Sequence, residues 1–500
     1  LRRPAGKTWG RGEAEGALTE LLSTLVLTLT YLFLFAFRSA DDNALTSWAW
    51  VFSDPADARR LLPVLLALPL AALLARARPP ALPPAAALFA TAFAAGALFW
   101  SEPEVIVDAA RHFTQAKHLE LYGWRYFLAE WGKGIPAWTD LPLVPLLYGS
   151  VFRLLGEHRL YIQALSTALF AATCLLTARL GARLWDERTG WLAGWLMLAI
   201  PYLLVQVPLF MSDVPTMFFF TLAVALFVEA LERGGTWTLL AALALPLALL
   251  AKYSTWPLAT TLPVAALVFA VSRGARPHAG RAAAVFLLAA LPAAALALWR
   301  LDLLREQLEL LRSYQWTGLR RWGESWGSTL LFQTSPLLTA TALWSTTLCL
   351  ASRDWRAVIP VWPLLVLLLL GVERSRYLLP ALPFLALLAA RGVAQFEDSR
   401  LRRFLALAAV LPSLALAAGA YLPFLRQTSA ANLQRAGAFL DTLPVARVEV
   451  VTPAPQAGLV NPAVAVPLLD LFTSRTIGYR GATARPPEEA VARSPLRFTW

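Results

Sequence analysis

Residues 82–117 read LPPAAALFATAFAAGALFWSEPEVIVDAARHFTQAK and change character abruptly at Ser101. The part before it, Leu82–Trp100, is an apolar run long enough to cross a bilayer. The part after it carries three carboxylates, two cations and one histidine. Charged residues placed directly against an apolar run are typical of a membrane protein with a site at the bilayer surface.

The composition of the whole chain agrees with a membrane protein. Hydrophobic residues make up 58% and charged residues only 15% of the 500 residues, against about 25% charged residues in soluble domains. A soluble protein with so few charges would expose large apolar patches, which excludes a cytosolic enzyme and a disordered regulator. The net charge of +12 would fit a nucleic-acid binder, but membrane proteins also collect Lys and Arg in cytoplasmic loops. We therefore expect no nucleic-acid partner.

Apolar runs predict an all-α polytopic membrane protein with about thirteen transmembrane helices. Arginine-rich short loops alternate along the chain, so the positive-inside rule places the N-terminus in the cytoplasm and the C-terminus outside, as expected for a bacterial inner membrane. The alternation holds if Leu141–Leu155, which Pro142 and Pro145 interrupt, lies along the outer surface. The thirteen runs are Leu21–Phe37, Leu61–Ala75, Leu82–Trp100, Leu160–Ala178, Trp191–Val207, Val214–Leu231, Leu239–Ala251, Trp256–Val271, Ala283–Trp299, Leu330–Leu350, Val358–Gly371, Tyr377–Ala390 and Phe404–Tyr421.

Two domains are expected. Residues 1–424 form the membrane domain, whose long external loops cover 101–159 and 301–329, and residues 425–500 form a small external α/β domain. The chain starts at Leu1 rather than Met, which suggests a fragment or a processed form. Its last residues suggest that the external domain continues beyond Trp500. The elements predicted there are a helix at Ala430–Leu440, a strand at Val445–Thr452, an apolar segment at Val464–Phe472 and the start of a strand at Leu496–Trp500.

Three polar residues after the third run share one face of a predicted helix. Asp108, His112 and Gln115 are four and three residues apart, so they can converge on one ligand. Asp108 also follows an apolar triplet, which would hold it near the membrane surface and raise its pKa toward that of a general base. The alternative is a helix cap followed by a solvated face, and the sequence leaves both interpretations open.

A second carboxylate, Asp213, is the single charged residue between Arg188 and Glu229. Because Pro215 follows in the first turn of the next helix, Asp213 is also a candidate N-cap. A carboxylate so isolated in apolar sequence favours a functional role.

Three cations lie where the positive-inside rule does not place them. Lys252 stands alone between two runs, and Arg374 and Arg376 fall in a very short external loop. Fixed cations at a membrane face suit phosphate binding, whereas the alternatives are a snorkelling lysine and an interfacial arginine anchor. Carboxylates and phosphate-binding cations on one side of the membrane predict the transfer of a group from a lipid phosphate to an acceptor hydroxyl.

These residues resemble the pattern of membrane glycosyltransferases of the GT-C fold. The resemblance is to the dolichyl-phosphate-mannose–protein mannosyltransferase family and its bacterial relatives, which include the lipid A aminoarabinose transferase, and it covers residues 83–425. The first-loop acids of the pattern, often Asp-Glu, read Asp108-Ala109 here, so the second acid is missing. The other matching elements are Asp140-Leu-Pro142-Leu143 at the start of the surface helix, Ser212-Asp213-Val-Pro, Ala251-Lys252-Tyr253 and Arg376-Tyr377-Leu-Leu-Pro-Ala-Leu-Pro383.

The resemblance implies transfer of a sugar from a polyprenyl-phosphate donor to a lipid, glycan or protein acceptor. Asp108 would be the catalytic base and Asp213 a supporting carboxylate, and Lys252, Arg376 and Arg374 would hold the donor phosphate. Asp140 and Tyr377 would belong to the substrate pocket.

A shorter likeness, Asp108-x-x-x-His112-x-x-Gln115-Ala116, is similar to the first-loop motif of the endoplasmic-reticulum α-1,2-glucosyltransferase that uses dolichyl-phosphate glucose. It implies that His112 and Gln115 line the donor or acceptor pocket. A divalent cation remains an open question, because Asp108 and His112 alone are too few ligands to predict a metal site.

Two other classes of function fit the same composition. A transporter or flippase of a lipid-linked sugar would share the spans and the cations, but it would place charges in mid-span and show inverted repeats. A non-catalytic scaffold would not need the isolated Asp213.

Overall fold

The computed structural model describes residues 9–39, 58–77, 84–104, 106–316, 326–428, 430–452 and 462–481. Almost all of this chain is helical, and a two-stranded sheet lies near its C-terminal end. The predicted strand at Leu496–Trp500 and positions 317–325 of the second external loop lie outside the described residues.

The helices follow one another with short connections. The first nine are α1 (Trp9–Ser39), α2 (Leu62–Arg76), α3 (Pro84–Ala97), α4 (Ile106–Glu130), α5 (Leu143–Leu155), α6 (Arg159–Leu184), α7 (Glu187–Leu196), α8 (Pro201–Gln206) and α9 (Asp213–Arg233). The next ten are α10 (Thr236–Ala251), α11 (Thr255–Leu258), α12 (Thr261–Arg273), α13 (Ala275–Trp299), α14 (Leu301–Leu310), α15 (Trp326–Ser328), α16 (Pro336–Ala351), α17 (Val358–Leu369), α18 (Leu382–Ala394) and α19 (Ser399–Leu416). The C-terminal elements are α20 (Leu422–Thr428), α21 (Ala431–Thr442), β1 (Arg447–Thr452), α22 (Pro462–Leu471) and β2 (Thr476–Gly481). Short 3-10 or π segments cover Ala58–Arg60, Met197–Ala199, Leu311–Gln315, Thr329–Gln333, Trp355–Ala357, Ser375–Ala381 and Ala417–Tyr421.

The predicted fold class, an all-α polytopic membrane protein with a small C-terminal α/β unit, is confirmed. Within the described ranges, seven helical segments are long and apolar enough to cross a membrane, and six apolar helices are shorter. The predicted number of thirteen crossings stays a prediction. Most side chains are exposed in α13 and in residues 18–38 of α1, as in helices that face lipid.

One predicted continuous span, Trp191–Val207, is in fact broken. It consists of α7, the 3-10 turn Met197–Ala199 and α8, with Ile200 outside the helical conformation. The break has a simple cause, because Pro201 has no N–H to continue the helical ladder. The Ala199 carbonyl, beside the break, accepts a hydrogen bond from the Ser335 N–H at 3.0 Å, so this group finds its partner inside the protein, as backbone at membrane depth must.

The two ends of α9 are chemically different. Near its C-terminal end, the buried Glu229 is bound by Arg179 at 2.7 Å, Arg183 at 2.9 Å and Arg233 at 3.2 Å. The positive-inside rule predicts one side of the membrane for all three arginines, and the structure brings them together around Glu229. Asp213 begins the helix sixteen positions earlier, about 24 Å away at 1.5 Å per residue.

The C-terminal elements form a parallel β–α–β unit. Strand β1 pairs with β2 in the register Arg447 with Thr476 through Thr452 with Gly481. Helix α22 packs on the reverse side of α4, where Leu468 and Leu471 share an apolar core with Phe113 and Ala116. The sequence predicted the helix at Ala430–Leu440 and β1, gave Val464–Phe472 only as an apolar segment, and did not predict β2.

Candidate active site

Helix α4 brings the first carboxylate to the segment that carries Arg374 and Arg376. Asp108 lies in the first turn of α4. Its Oδ2 accepts a hydrogen bond from Arg376 Nη2 at 2.6 Å, and its Oδ1 lies 3.2 Å from Arg111 Nη2. Asp108 is thus held between two guanidinium groups, one from its own helix and one from the segment 268 positions later. It does not cap the helix, so that alternative is wrong.

The second carboxylate meets the same arginine. Asp213 is the first residue of α9, and Ser212 precedes it as N-cap, so the interpretation of Asp213 as the cap is wrong. Its Oδ1 accepts a hydrogen bond from Lys252 Nζ at 2.6 Å, and its Oδ2 lies 4.0 Å from Arg376 Nε. Arg376 therefore lies between Asp108 and Asp213.

Tyr377 lies between the other cations. Lys252 Nζ is 5.1 Å from the centroid of the Tyr377 ring, and Arg374 Cζ is 5.8 Å from the same centroid. Cations over an aromatic ring are attracted by its electron-rich face. The three cations that the sequence selected are thus grouped around one tyrosine and one buried carboxylate.

Asp140 forms the other half of the site. It receives two hydrogen bonds from Arg111, from Nε to Oδ2 and, at 2.9 Å, from Nη2 to Oδ1. Gln115 Nε2 donates to Asp140 Oδ2 at 3.3 Å and to the Pro136 carbonyl at 3.0 Å, and His112 Nδ1 lies 3.8 Å from Asp140 Oδ2. His112 and Gln115 therefore share a face of α4 as predicted, but they meet Asp140 rather than Asp108.

Gln307 and Trp138 connect α14 to the site, and the sequence singled out neither of them. The Tyr253 hydroxyl donates to Gln307 Oε1 from α14, and Gln307 Nε2 donates to the Trp138 carbonyl at 3.0 Å. Gln307 is buried. Trp138 has a φ of 52°. This backbone conformation is uncommon for a bulky residue and persists only where surrounding contacts hold it.

The entry to α4 is fixed by a buried ion pair. Glu104 Oε1 accepts from Arg159 Nε at 2.8 Å, and Oε2 accepts from the Phe210 N–H at 2.8 Å. Burial raises the pKa of Glu104, although Arg159 and the Phe210 N–H act in the opposite direction. These contacts tie the start of α4 to the loop before α9, and so hold the positions of Asp108 and Asp213 relative to each other.

The electrostatic surroundings correct one expectation. Burial by itself would raise the pKa of Asp108, but Arg376, Arg111 and Arg374 outweigh it and hold that pKa well below its usual range. The expected raised pKa of Asp108 is therefore wrong for this arrangement. Burial lowers the pKa of His112, so its imidazole is neutral near pH 7.

Several polar atoms of the site have unused hydrogen-bonding capacity. Within the described ranges, Arg376 Nε, Asp213 Oδ2 and His112 Nδ1 are buried and have no hydrogen-bond partner. Buried polar groups are normally paired, so unpaired ones in a group of charges mark a place that a polar ligand can complete.

The structure therefore brings all nine predicted site residues into one connected group at the N-terminal end of α9. Arg111, the bridge between Asp108 and Asp140, is the charged member that sequence reasoning missed. Its spacing of three residues from Asp108 on one helix was the available signal. Among the residues that the structure describes, no three His, Cys, Asp or Glu side chains are placed to hold a metal ion.

The chain matches solved structures, although no protein family model and no curated protein matches its sequence. ArnT from Cupriavidus metallidurans in the apo state is 14% identical, with a TM-score of 0.52 over 80% of this chain and 87% of that chain. ArnT from the same organism bound to undecaprenyl phosphate is 12% identical, with a TM-score of 0.54 over 82% of this chain and 88% of that chain. ArnT is an aminoarabinose transferase with the GT-C fold. The chain therefore has the GT-C fold, as its sequence motifs predicted.

Proposed function

We propose that this protein transfers a sugar from a polyprenyl-phosphate donor to an acceptor hydroxyl at the external face of the membrane. One observation carries the proposal: Arg376 lies between Asp108 and Asp213, 2.6 Å from the first and 4.0 Å from the second. A carboxylate for the acceptor and cations for the departing phosphate are the groups that such a transfer needs at one place. The shared fold with ArnT, one of whose structures holds undecaprenyl phosphate, supports a lipid phosphate as the donor.

The phosphate of the donor would bind to the cations from Arg376, Lys252 and Arg374. Arg376 Nε is buried and unpaired within the described part of the chain, so it can donate to a phosphate oxygen. Arginine binds phosphate through two parallel hydrogen bonds, and lysine adds a point charge. Tyr377, which contacts both of the other cations, would hold their positions.

Donor binding would also prepare the base. A phosphate that draws Arg376 away removes the largest of the opposing charges that hold the pKa of Asp108 low. The pKa of Asp108 would then rise toward the range in which a carboxylate is an effective general base. For this reason, a low pKa of Asp108 before the donor binds is compatible with Asp108 acting as the general base afterwards.

The reaction follows from this arrangement. Asp108 takes the proton of the acceptor hydroxyl, and the acceptor oxygen attacks the anomeric carbon of the donor sugar. The bond from that carbon to the phosphate oxygen breaks, and the lipid phosphate leaves with the electron pair, stabilised by Arg376 and Lys252. An in-line attack of this kind inverts the anomeric centre. Asp213 keeps Lys252 in place, while His112, Gln115 and Asp140 line the neighbouring pocket.

We infer from the positions of charged residues that the site faces the external side. Glu229 and its three arginines mark the opposite end of α9, and arginine-rich loops face the cytoplasm. The site at the Asp213 end then faces outward, in a bacterial inner membrane with the C-terminal unit outside.

A transporter or flippase of a lipid-linked sugar is the second candidate function. The positions of the charges favour transfer over transport, because the described site residues lie at helix ends and on a surface helix rather than in mid-span. Flipping in vesicles without any transfer to an acceptor would support the transporter.

The test separates transfer from binding. Asp108→Asn should abolish transfer from undecaprenyl-phosphate-linked sugars, by more than two orders of magnitude, and should leave the affinity for undecaprenyl phosphate within a few-fold. Arg376→Ala should lower that affinity at least tenfold. Asp302→Asn is the matched control, because Asp302 lies on the external α14 with an exposed side chain. Unimpaired transfer by the Asp108→Asn variant would refute the assignment of the base.

A further inference from the structure

Arg111 lies at the point where a cation would bridge two carboxylates of the site. Its Nη2 is 3.2 Å from Asp108 Oδ1 and 2.9 Å from Asp140 Oδ1, and its Nε donates to Asp140 Oδ2. The guanidinium thus contacts both carboxylates at once, and it is largely buried. Asp108 and Asp140 are 32 positions apart in the chain, so the arginine closes the loop between them.

The groups around this arginine are those that a divalent cation accepts as ligands. Two carboxylates and a nearby imidazole, His112, whose Nδ1 is 3.8 Å from Asp140 Oδ2, would suit Mg²⁺ or Mn²⁺ in composition. The space between the carboxylates is filled by the guanidinium, however, and a metal ion and an arginine cannot share it. The residues present therefore do not fit a bridging metal ion.

The positive charge of Arg111 can compensate Asp108 and Asp140 without a metal ion. Two carboxylates that face each other without a cation would repel and would each lose stabilisation on burial. Arg111 supplies one positive charge to the pair in a fixed planar geometry. It lies one helical turn after Asp108, so the rigid backbone of α4 sets the distance between the guanidinium and the base.

We propose that Arg111 takes the place of a divalent cation between Asp108 and Asp140, and that donor binding and sugar transfer need no metal ion. The part of this statement that concerns the donor rests on the proposed function. Arg111 acts through Asp108 and Asp140 and is a positioning residue. It orients Asp108 toward the acceptor and holds Asp140 at the edge of the pocket.

The first test uses Mn²⁺ alone as the probe. The purified full chain in nanodiscs is titrated with Mn²⁺ and followed by electron paramagnetic resonance, for the wild type, Arg111→Ala and Arg111→Ala combined with Asp140→Asn. The wild type should show no saturable site, Arg111→Ala should gain a saturable Mn²⁺ site, and the double variant should lose that site. A stoichiometric Mn²⁺ site in the wild type that Asp108→Asn removes would overturn the proposal. A folded Arg111→Ala variant that gains no Mn²⁺ affinity would also overturn it.

The second test uses the lipid. Undecaprenyl phosphate binding by the wild type should be the same in EDTA and in Mg²⁺. Binding that EDTA abolishes and Mg²⁺ restores would overturn the proposal. A wild type that binds no undecaprenyl phosphate under either condition would instead contradict the proposed function, while the Mn²⁺ titration would still decide the role of Arg111.

Discussion

Lys252 and Asp213 form a buried ion pair whose contribution to the free energy of unfolding can be measured. Lys252→Met leaves the Asp213 carboxylate with Arg376 at 4.0 Å as its remaining cation. Removing one partner of a buried pair costs about 3 kcal/mol, so we expect the free energy of unfolding in detergent to fall by about that amount. The double variant Asp213→Asn with Lys252→Met removes the uncompensated charge, and should recover at least half of the loss.

A surface pair provides the control for this experiment. Arg273 and Glu232 are in contact, and the arginine side chain is 41% exposed. Exposed ion pairs contribute about 0–1 kcal/mol, so Arg273→Met should change the free energy of unfolding by less than about 1 kcal/mol. An equal loss of unfolding free energy in Lys252→Met and Arg273→Met would show that burial does not determine what the loss of an ion pair costs.

Sequence reasoning found the charged site residues that stand alone in apolar sequence. Asp213 and Lys252 were selected because each is an isolated charge between apolar runs, and Arg376 because the positive-inside rule does not place an arginine in that short loop. Arg111 escaped because an arginine on an amphipathic external helix normally faces water, and its partner Asp140 lies in another loop. Gln307 escaped for the same reason, since its bonds to Tyr253 and Trp138 depend on how the two external loops fold against each other.

The contact of α5 with α4 depends on one glycine. A Cβ on Gly149 would lie 2.7 Å from the Ala116 carbonyl oxygen and 2.7 Å from Leu119 Cβ. Gly149→Ala must therefore separate the two helices, and we expect a loss of about 1–3 kcal/mol, as for overpacking in a core. The matched control is Gly280→Ala on α13, where a Cβ meets nothing within 4 Å. It should be neutral or slightly stabilising, because alanine favours helix more than glycine does. Thermal unfolding of both variants checks the prediction.

The junction between α5 and α6 should make stability depend on pH. Burial, together with a hydrogen bond to Glu120, raises the pKa of Glu157 to about 8, and Lys117 opposes this only in part. A carboxyl whose pKa is higher in the folded than in the unfolded chain stabilises the fold fully below its unfolded pKa, and this stabilisation is lost as pH rises toward about 8. We expect the melting temperature to fall between pH 5 and pH 9. The fall should be smaller in Glu157→Gln and unchanged in Glu187→Gln, whose side chain is exposed. Parallel pH profiles of all three proteins would contradict the assignment.

Helices were easier to predict from the sequence than their interruptions and pairings. The apolar runs placed the helices that cross the membrane, since burial in lipid demands apolar length. The break at Ile200 and Pro201 was missed because the sequence stays apolar through it. Strand β2 was missed because a short segment with Gly478 and an arginine has no clear alternation, and its strand conformation comes from pairing with β1.

The assigned orientation can be tested on intact cells. Cys174 and Cys349 are buried, so new exposed cysteines can be labelled selectively. Lys133→Cys, after α4, should react with a membrane-impermeant maleimide from outside, whereas Gln395→Cys, after α18, should react only once the cells are permeabilised. Both positions are exposed. The reverse pattern would place the site in the cytoplasm.

At the level of the complete chain, hydropathy predicted an all-α membrane protein, because the bilayer imposes the same constraints on every such protein. The orientation inferred from the arginine positions stays a prediction. The small C-terminal unit was predicted only in outline. Its attachment to α4 involves Lys117, which binds both Glu157 and Asp470, and no pattern in the sequence connects positions so far apart.

That attachment has a consequence for truncated forms of the protein. A chain that stops just after Thr428 would keep every candidate site residue, yet it would lose Leu468, Leu471 and Asp470, which support the back of the helix that carries Asp108. Shortening the tail should therefore impair a reaction whose chemical groups all lie upstream, and a nonsense mutation there would resemble a defect in catalysis.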